Sequence, residues 1–590
     1  MRRHCMPFGA KVLENGETRF ALWAPAAETV DIILEDGALP MHREEDGTFA
    51  LTTESGAGAR YCYWVDGGRK VPDPASRYQP DDVHGASRVV DPAAFVWRDE
   101  HWKGRPWDEV VLYELHVGSF TPEGTFAGIK EKLDYLVDLG VTAIELMPLS
   151  EFPGRRNWGY DGVLPFAPES TYGAPEDLKD LVQTAHTKGL MVFLDVVYNH
   201  FGPEGNYLSL YAPQFFTDRY QTPWGAAINF DGEGSKHVRE FFIHNALYWL
   251  EEYGIDGLRL DAVHAINDAS EKHFLVELAE RVRQGPGRDR HVHLVLENEA
   301  NDASYLRGHY DAQWNDDLHH ALHVVLTGES AGYYADYADA PVRRLGRSLG
   351  EGFAYQGESS RHSKKRGEPS ADLPSGAFIS FIQNHDQVGN RAFGERIGQL
   401  APPETVRAAA EIYLLAPQIP MLFMGEEWGS KTPFPFFCDF APDLALLVAR
   451  GRRKEFSEFF DPEEDGLIPD PGADETFRRA VLDWASLDEP EHTGRLKLYG
   501  ELLALRREKI VPRLAGIPGD VAAYQIVDDR GLSVQWTLAD GSTLALLANL
   551  GPESLDDPEW PPGERLYASE DVTGHRQELP GWSVLWHLAE

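Results

Sequence analysis

LMVFLDVVYNH, residues 190–200, is the stretch on which the fold turns. Five apolar residues follow one another without polar alternation, the pattern of a strand covered on both faces in a parallel sheet. Where the run ends, Asp195, Asn199 and His200 stand close together. Seven further runs share this character: VVLYELHV (110–117), TAIELMPL (142–149), GLRLDAV (257–263), HLVLENE (293–299), the weaker AQWND (312–316), FISFIQNHD (378–386) and QIPMLFMGEE (418–427). Amphipathic stretches such as GIKEKLDYLVDLG (128–140) and PEDLKDLVQTAHTKG (175–189) supply helical crossovers. Eight parallel strands joined in this way are what a (β/α)8 barrel needs to close. The predicted fold class is α/β, a TIM barrel with inserted loops over residues 101–514, closed by the helix RLKLYGELLALRREKI (495–510).

Both ends read differently. TRFALWAPAAETVDIIL (18–34) and RYCYWVD (60–66) alternate apolar and polar residues between turn signals, as half-buried strands do. Residues 1–100 are therefore expected to form an N-terminal β-sandwich, with a boundary near VPDPASRYQPDD (71–82) and the following DPAAF. AAYQIV (522–527), LSVQWTL (532–538), TLALLANL (543–550) and WSVLWHL (582–588) predict a C-terminal β-sandwich over 515–590. The one biased segment, GESSRHSKKRGEPSADLPSG (357–376), reads either as a solvated loop or as a substrate lid.

Composition limits the partners. With 590 residues, 42% apolar and 25% charged, the chain has the make-up of a globular protein with a sizeable core. Its 95 acidic against 55 basic residues give a formal net charge of −40, which repels phosphate backbones and anionic lipid. Neither nucleic acid nor a membrane is an expected partner; neutral or cationic ligands remain open. Three scattered cysteines make no disulfide framework or Cys-rich metal site, and the start has no apolar run of a secretory signal, so a cytoplasmic location is the default expectation. No phosphate-cradling Gly loop is present, so no nucleotide cofactor is implied.

In a barrel of this kind, functional groups stand at the C-terminal ends of the strands. Here those ends carry Asp195, Asn199 and His200, then Arg259, Asp261 and His264, then Glu297, then His385 and Asp386. A carboxylate next to an apolar triplet is costly to bury unless it is paired or working. This ordered set resembles the α-amylase family of glycoside hydrolases and transglycosidases, through all four of its short sequence regions, over about residues 108–430. The resemblance implies that Asp261 is the nucleophile, Glu297 the general acid/base and Asp386 a third carboxylate that binds sugar hydroxyls. It also implies His200 and His385 as ligands of hydroxyls on the cleaved sugar. Arg259, two residues before Asp261 and so on the same strand face, is expected to keep that carboxylate ionised.

The chemistry needs these residue types. Acetal cleavage passes through an oxocarbenium-like state, so one carboxylate attacks the anomeric carbon while a second, still protonated, serves the leaving oxygen. Burial and charged neighbours are expected to keep Glu297 partly protonated. Glu299 is its competitor in LENEAND, and only the resemblance favours Glu297. Asp195 reads as a carboxylate that pairs Arg259 or as a substrate contact, and His264 as a satisfied turn histidine or a sugar contact. In NWGYDGVLPFAPESTYG (157–173) the resemblance makes Tyr160 a stacking platform beside the cleaved sugar; the other reading of Tyr160 and Trp158 is loop core. Some relatives bind calcium through the position of Asn199, but no Asp-rich loop is nearby, so no metal is expected.

Within the family, VPDPASRYQPDDVHGAS (71–87), QWNDDLHHALH (313–323), FIQNHDQVGNR (381–391) and the His264 of GLRLDAVHAI are most similar to the trehalose-releasing hydrolases. That similarity implies cleavage of the α-1,4 bond next to the trehalose end of a maltooligosyltrehalose. Asp316, Asp317, His319 and His320 are then substrate contacts at the mouth, joined by Gln387 and Asn390. The alternatives are that Asp316 or Asp317 caps a helix and that the two histidines are core. A 1,4-α-glucan branching enzyme and a non-catalytic glucan-binding protein are the competing functions. Loops 151–160, 201–235 and 425–460 are candidates for reading the trehalose end.

Overall fold

All eight apolar runs form strands: β1 Leu112–Leu115, β2 Ala143–Leu146, β3 Met191–Val196, β4 Gly257–Leu260, β5 His293–Leu296, β6 Ala312–Trp314, β7 Phe378–Ser380 and β8 Ile419–Phe423. The computed structural model describes residues 2–360, 365–456, 468–572 and 578–590. The strands pair in parallel in chain order, and β8 pairs with β1, Leu112 lying opposite both Ala143 and Met421. Inward positions recur every second residue. Leu112, Ala143, Phe193, Val295, Trp314, Phe381 and Met421 form one apolar cluster in the barrel interior. Two residues beyond Leu112, Ala143 and Phe193 stand Glu114, Glu145 and Asp195, and Asp195 lies opposite Arg259 on β4. The interior thus passes from hydrocarbon to charge within one step of the strand repeat.

The helices between the strands bury their apolar faces on this wall. Pro175–Thr187 begins with proline at its first helical position, where the missing N–H costs no hydrogen bond. The stretch predicted as one helix over 128–140 is two, Phe126–Lys130 and Leu133–Leu139, the second ended by Gly140 at φ 105°. The expected closing helix spans Pro490–Leu505, followed by a wider turn at Arg506–Ile510. It does not close the barrel, which the β8–β1 pairing does; it packs outside, where buried Arg506 donates to the carbonyl oxygens of Leu414, Ala416 and Gln418.

Ahead of the barrel lie two antiparallel sheets. Gly9–Val12, Thr18–Trp23, Thr48–Thr53 and His42–Arg43 make one; Gly37–Pro40, Val30–Leu34, Arg60–Val65 and Arg69–Val71 make the other, with Ser87–Arg88 paired to Arg60–Val65. They dock on the barrel's flank through Trp23, stacked on His237 with centroids 4.6 Å apart, and Phe8 against Phe241. Behind the barrel, the strands Ala522–Val527, Gly531–Thr537, Thr543–Asn549, Ser583–Ala589 and Glu564–Ala568 form a five-stranded sheet in that order, beside a two-stranded pair. Trp536 and Trp586 fasten this sheet by donating to the carbonyl oxygens of Leu349 and Glu411. Among the described residues, no helix is long and apolar enough to cross a membrane. Residues 361–364 of the basic loop and 457–460 of the third candidate recognition loop lie outside the described residues.

Candidate active site

Arg259 is the hub of the cluster at the C-terminal ends of the strands. Fully buried, it donates from Nη1 to Asp195 Oδ2 at 2.8 Å and to Asp261 Oδ1 at 2.7 Å, while its Nη2 stands 3.4 Å from Glu297 Oε2. Its guanidinium carbon lies 4.1 Å from the centre of the Trp314 ring, which shields it from below. Burial opposes the charge, yet Asp195, Asp261 and Glu297 hold the guanidinium well above its ordinary range. Asp195 itself is pushed up to about 7 by burial, against the pull of Arg259. Asp261 takes a further hydrogen bond from Asn199 Nδ2 at 3.0 Å, and the same amide reaches the carbonyl oxygens of Asp261 and Ala262. Asn199 therefore braces the turn after β4.

That turn is unusual. Ala262 adopts φ 39°, a left-handed conformation rare for a residue with a Cβ, and its N–H donates to Glu297 Oε2 at 2.6 Å. Glu297 is pushed up to about 8, chiefly by burial, with Asp261, Asp386 and Asp316 adding to the rise and Arg259 opposing it. Glu299 is exposed and turns aside, its N–H donating to His264 Nδ1 at 3.3 Å. Of the two glutamates, only Glu297 joins the Arg259 cluster.

His385 and Asp386 open the short helix His385–Gly389, capped by Asn384, whose Oδ1 accepts from Gln387 N at 2.9 Å. Asp386 is half-exposed and receives Asn390 Nδ2 at 3.2 Å. His385 is buried against Glu114, with Nδ1 2.5 Å from its Oε1. Burial would lower the imidazole's pKa, but Asp386 and Glu114 outweigh it and raise it to about 9. Tyr160 stacks on this ring, centroids 5.0 Å apart, and donates to Asp195 Oδ2 at 2.5 Å. Trp158 is core rather than platform: it is 4% exposed and stacked on Phe434. A Cβ on Gly389 would come within 2.0 Å of its ring, so that glycine is required.

Several expected contacts have other employment. The cap of helix Asp316–Thr327 is Asn315, which accepts from Leu318 N, so neither Asp316 nor Asp317 caps it. Asp316 does reach the cluster: Gln387 Nε2 donates to it at 3.3 Å, and burial together with Asp386 pushes its carboxyl up to about 7. Asp317 does not. It is fully buried and holds Tyr337 Oη, Arg366 at 3.0 Å, Asn301 Nδ2 at 3.0 Å and Tyr355 N at 2.9 Å, leaving no room for a sugar. His319 is likewise core, stacked on Phe381 with Nδ1 2.9 Å from the Ile382 carbonyl oxygen. His320 is buried against Tyr333 and Tyr337, its Nδ1 unpartnered. His200 has Nδ1 beside Asn199 Oδ1 and Nε2 2.9 Å from the Tyr160 carbonyl oxygen, and it stacks on Trp224 at 4.4 Å, so it ties the loop down.

A cavity of about 510 Å³ opens beside Glu299, lined by His264, Glu299, Tyr333, Asp336, Lys365 and Arg366 among others. Among the described residues, none from the three loops nominated from sequence contributes to this lining. Sequence reading also passed over Glu114, Trp314 and Trp224. Glu114 had a signal, an acid inside the apolar run VVLYELHV; Trp314 and Trp224 had none beyond being aromatic.

An eight-stranded parallel barrel with an arginine-linked set of acids at its strand ends defines a glycoside hydrolase of the α-amylase type. The family model described as Alpha amylase, catalytic domain, matches residues 77–216, and those described as Carbohydrate-binding module 48 (Isoamylase N-terminal domain) and Domain of unknown function (DUF3459) match 7–83 and 520–586. The chain belongs to the malto-oligosyltrehalose trehalohydrolase family. It is 44% identical to the member from Saccharolobus solfataricus over 85% of this chain and 87% of that one, and 45% identical to the member from Deinococcus radiodurans over 90% and 89%. A crystal structure of a Salmonella typhimurium chain, 44% identical, superposes with a TM-score of 0.95 over 99% of this chain and 100% of that one.

Proposed function

We propose that this chain hydrolyses the α-1,4-glucosidic bond next to the trehalose end of a maltooligosyltrehalose, releasing trehalose and a maltooligosaccharide. The family membership supports the substrate. The observation that carries the chemistry is the unequal treatment of two neighbouring acids. Asp261 accepts from Arg259 and Asn199, whereas Glu297 is buried and pushed up to about 8. The first is thereby kept ready to attack the anomeric carbon, and the second keeps a proton for the leaving oxygen.

In this reading Asp261 forms a covalent glycosyl intermediate, Glu297 protonates the departing trehalose and then draws the proton from the attacking water, and the anomeric configuration is retained. Both acids hang on one guanidinium, which suits the separation of about 5–5.5 Å of a retaining pair. Asp386 and the Nε2–H of His385 hold hydroxyls of the cleaved sugar over the Tyr160 ring. The leaving group departs on the side of the acid, and the cavity beside Glu299 is the natural seat for trehalose. An uncharged glucan meets no repulsion from a chain of net charge −40.

Incubation with maltooligosyltrehalose tests this. Free trehalose with a shorter maltooligosaccharide of retained configuration is the expected product. Branched glucan without trehalose, or binding without turnover, overturns it.

A further inference from the structure

Two acids line the barrel wall beside the site, Glu114 on β1 and Glu145 on β2, paired in register and each 1% exposed. Their hydrogen bonding is opposite. Glu114 accepts twice from one residue: its Oε1 lies 2.5 Å from His385 Nδ1, and its Oε2 takes the His385 backbone N–H at 2.9 Å. Among the described residues Glu145 accepts from nothing, and both of its oxygens are buried without a partner. Two carboxylates side by side in a dry wall do not both ionise, and the one that holds donors keeps the charge. Glu114 is thus the acid that holds the donors, and Glu145, pushed well up by burial, is the neutral one.

The far side of the imidazole faces the reaction. Nε2 of His385 stands 3.5 Å from Asp386 Oδ1, and the ring face lies against Tyr160. We propose that Glu114 is a positioning residue for the reaction: its carboxylate grips both the backbone and the ring of His385, keeps the ring an imidazolium, and so holds Nε2–H turned toward the sugar hydroxyls beside Asp386. This rests on the reading of His385 as a hydroxyl ligand. The charged and titratable groups around that ring are Glu114 from β1, His116 just after it, Glu145 from β2, Tyr160 from the loop beyond, Asp195 from β3, Arg259 from β4 and Asp386 beside it. Arg259 and His116 oppose a positive imidazole. Glu114 is the one acid in direct contact with Nδ1.

The test compares two isosteric variants in the full chain. Glu114→Gln should lower kcat/KM about 10–100-fold, the scale of a lost charge-assisted hydrogen bond, and bring the loss of the His385 proton below the alkaline limb that Glu297 sets. Glu145→Gln replaces a group that is already neutral and should leave both near the parent value. Histidine-labelled NMR, with the His385 signal assigned by its loss in His385→Asn, should show an imidazolium at pH 7.5 in the parent and a neutral ring in Glu114→Gln. Equal losses in the two amide variants, or an unchanged His385 signal in a folded Glu114→Gln, overturn the proposal. If Glu114→Gln fails to fold, Glu114→Asp, one methylene too short to hold both donors, is read by the same NMR signal, and a His385 signal unchanged from the parent overturns it. The NMR result is independent of the substrate, so failure of the parent to release trehalose strikes the proposed function and not this assignment.

Discussion

Ala262, the residue directly after Asp261, donates its backbone N–H to Glu297 Oε2 at 2.6 Å. One left-handed turn therefore sets the spacing of two acids that come from different strands. A backbone donor would favour the carboxylate form, and burial among Asp261, Asp386 and Asp316 overrides it, so that Glu297 is raised to about 8. A general acid must carry its proton, so activity should hold below that value and fall as pH climbs through it. Glu297→Gln should lower kcat at least about 10³-fold with little change in KM and abolish this limb. Glu299→Gln should leave kcat within a few-fold of the parent. A pH–rate series on the three proteins checks both statements, and the reverse pattern would reassign the acid.

Arg259 is the cation that Asp195 and Asp261 share. Arg259→Met removes it and leaves two buried carboxylates facing one another. The expected cost is about 3–5 kcal/mol of stability, the range for breaking a buried pair from one side. Turnover should fall as well, because Asp261 loses the donor that holds its carboxylate in place. Urea unfolding and kcat, measured on the same preparation, are the readouts; a variant of parental stability and rate would show that the guanidinium is dispensable.

Glu426 lies behind β8, taking Tyr413 Oη at 2.6 Å and Tyr499 Oη at 3.2 Å, and burial pushes its carboxyl from 4.5 up to about 7. A carboxyl raised on folding binds its proton more tightly in the native state. Its contribution is complete below the unfolded value and is lost as pH rises from about 4.5 through 7. Glu426→Gln should remove up to about 3 kcal/mol of this decline, since each pKa unit is worth about 1.4 kcal/mol. Denaturation midpoints at pH 5 and pH 8 should lie closer together in the variant than in the parent.

His319 was expected at the sugar and stands in the core. His319→Phe keeps the ring on Phe381 and forfeits the bond to the Ile382 carbonyl. Stability should drop by about 1–2 kcal/mol while kcat and KM stay within about twofold. A KM that rises tenfold or more at unchanged stability would return His319 to the substrate.

The strands were legible because hydrocarbon burial leaves a run of apolar residues that needs no tertiary information. All eight runs are strands, and Asp261, Glu297 and Asp386 stand together because strand ends in a closed barrel converge. What sequence did not reveal was how each polar side chain spends its hydrogen bonds. Asp317 and Asp316 are neighbours of identical chemistry, yet a helical step of about 100° sends one into a nest of four donors and the other to the cluster. The setting of His200 is hidden for a like reason: the carbonyl oxygen of Tyr160 beside its Nε2 comes from a loop forty residues away. Glu114 was passed over because an acid inside an apolar strand carries no mark of which residue it will meet, and its partner lies 271 positions along the chain.

The interior of the barrel changes from apolar to charged between Leu112 and Glu114, Ala143 and Glu145, and Phe193 and Asp195. Inward and outward positions alternate, so a single residue inserted within one of these strands would turn an acid to the outside and an apolar neighbour to the inside. The active centre is then a matter of counting as well as of identity. Such an insertion would silence the enzyme while every catalytic side chain remained in the chain, and a second one in the same strand would restore the parity.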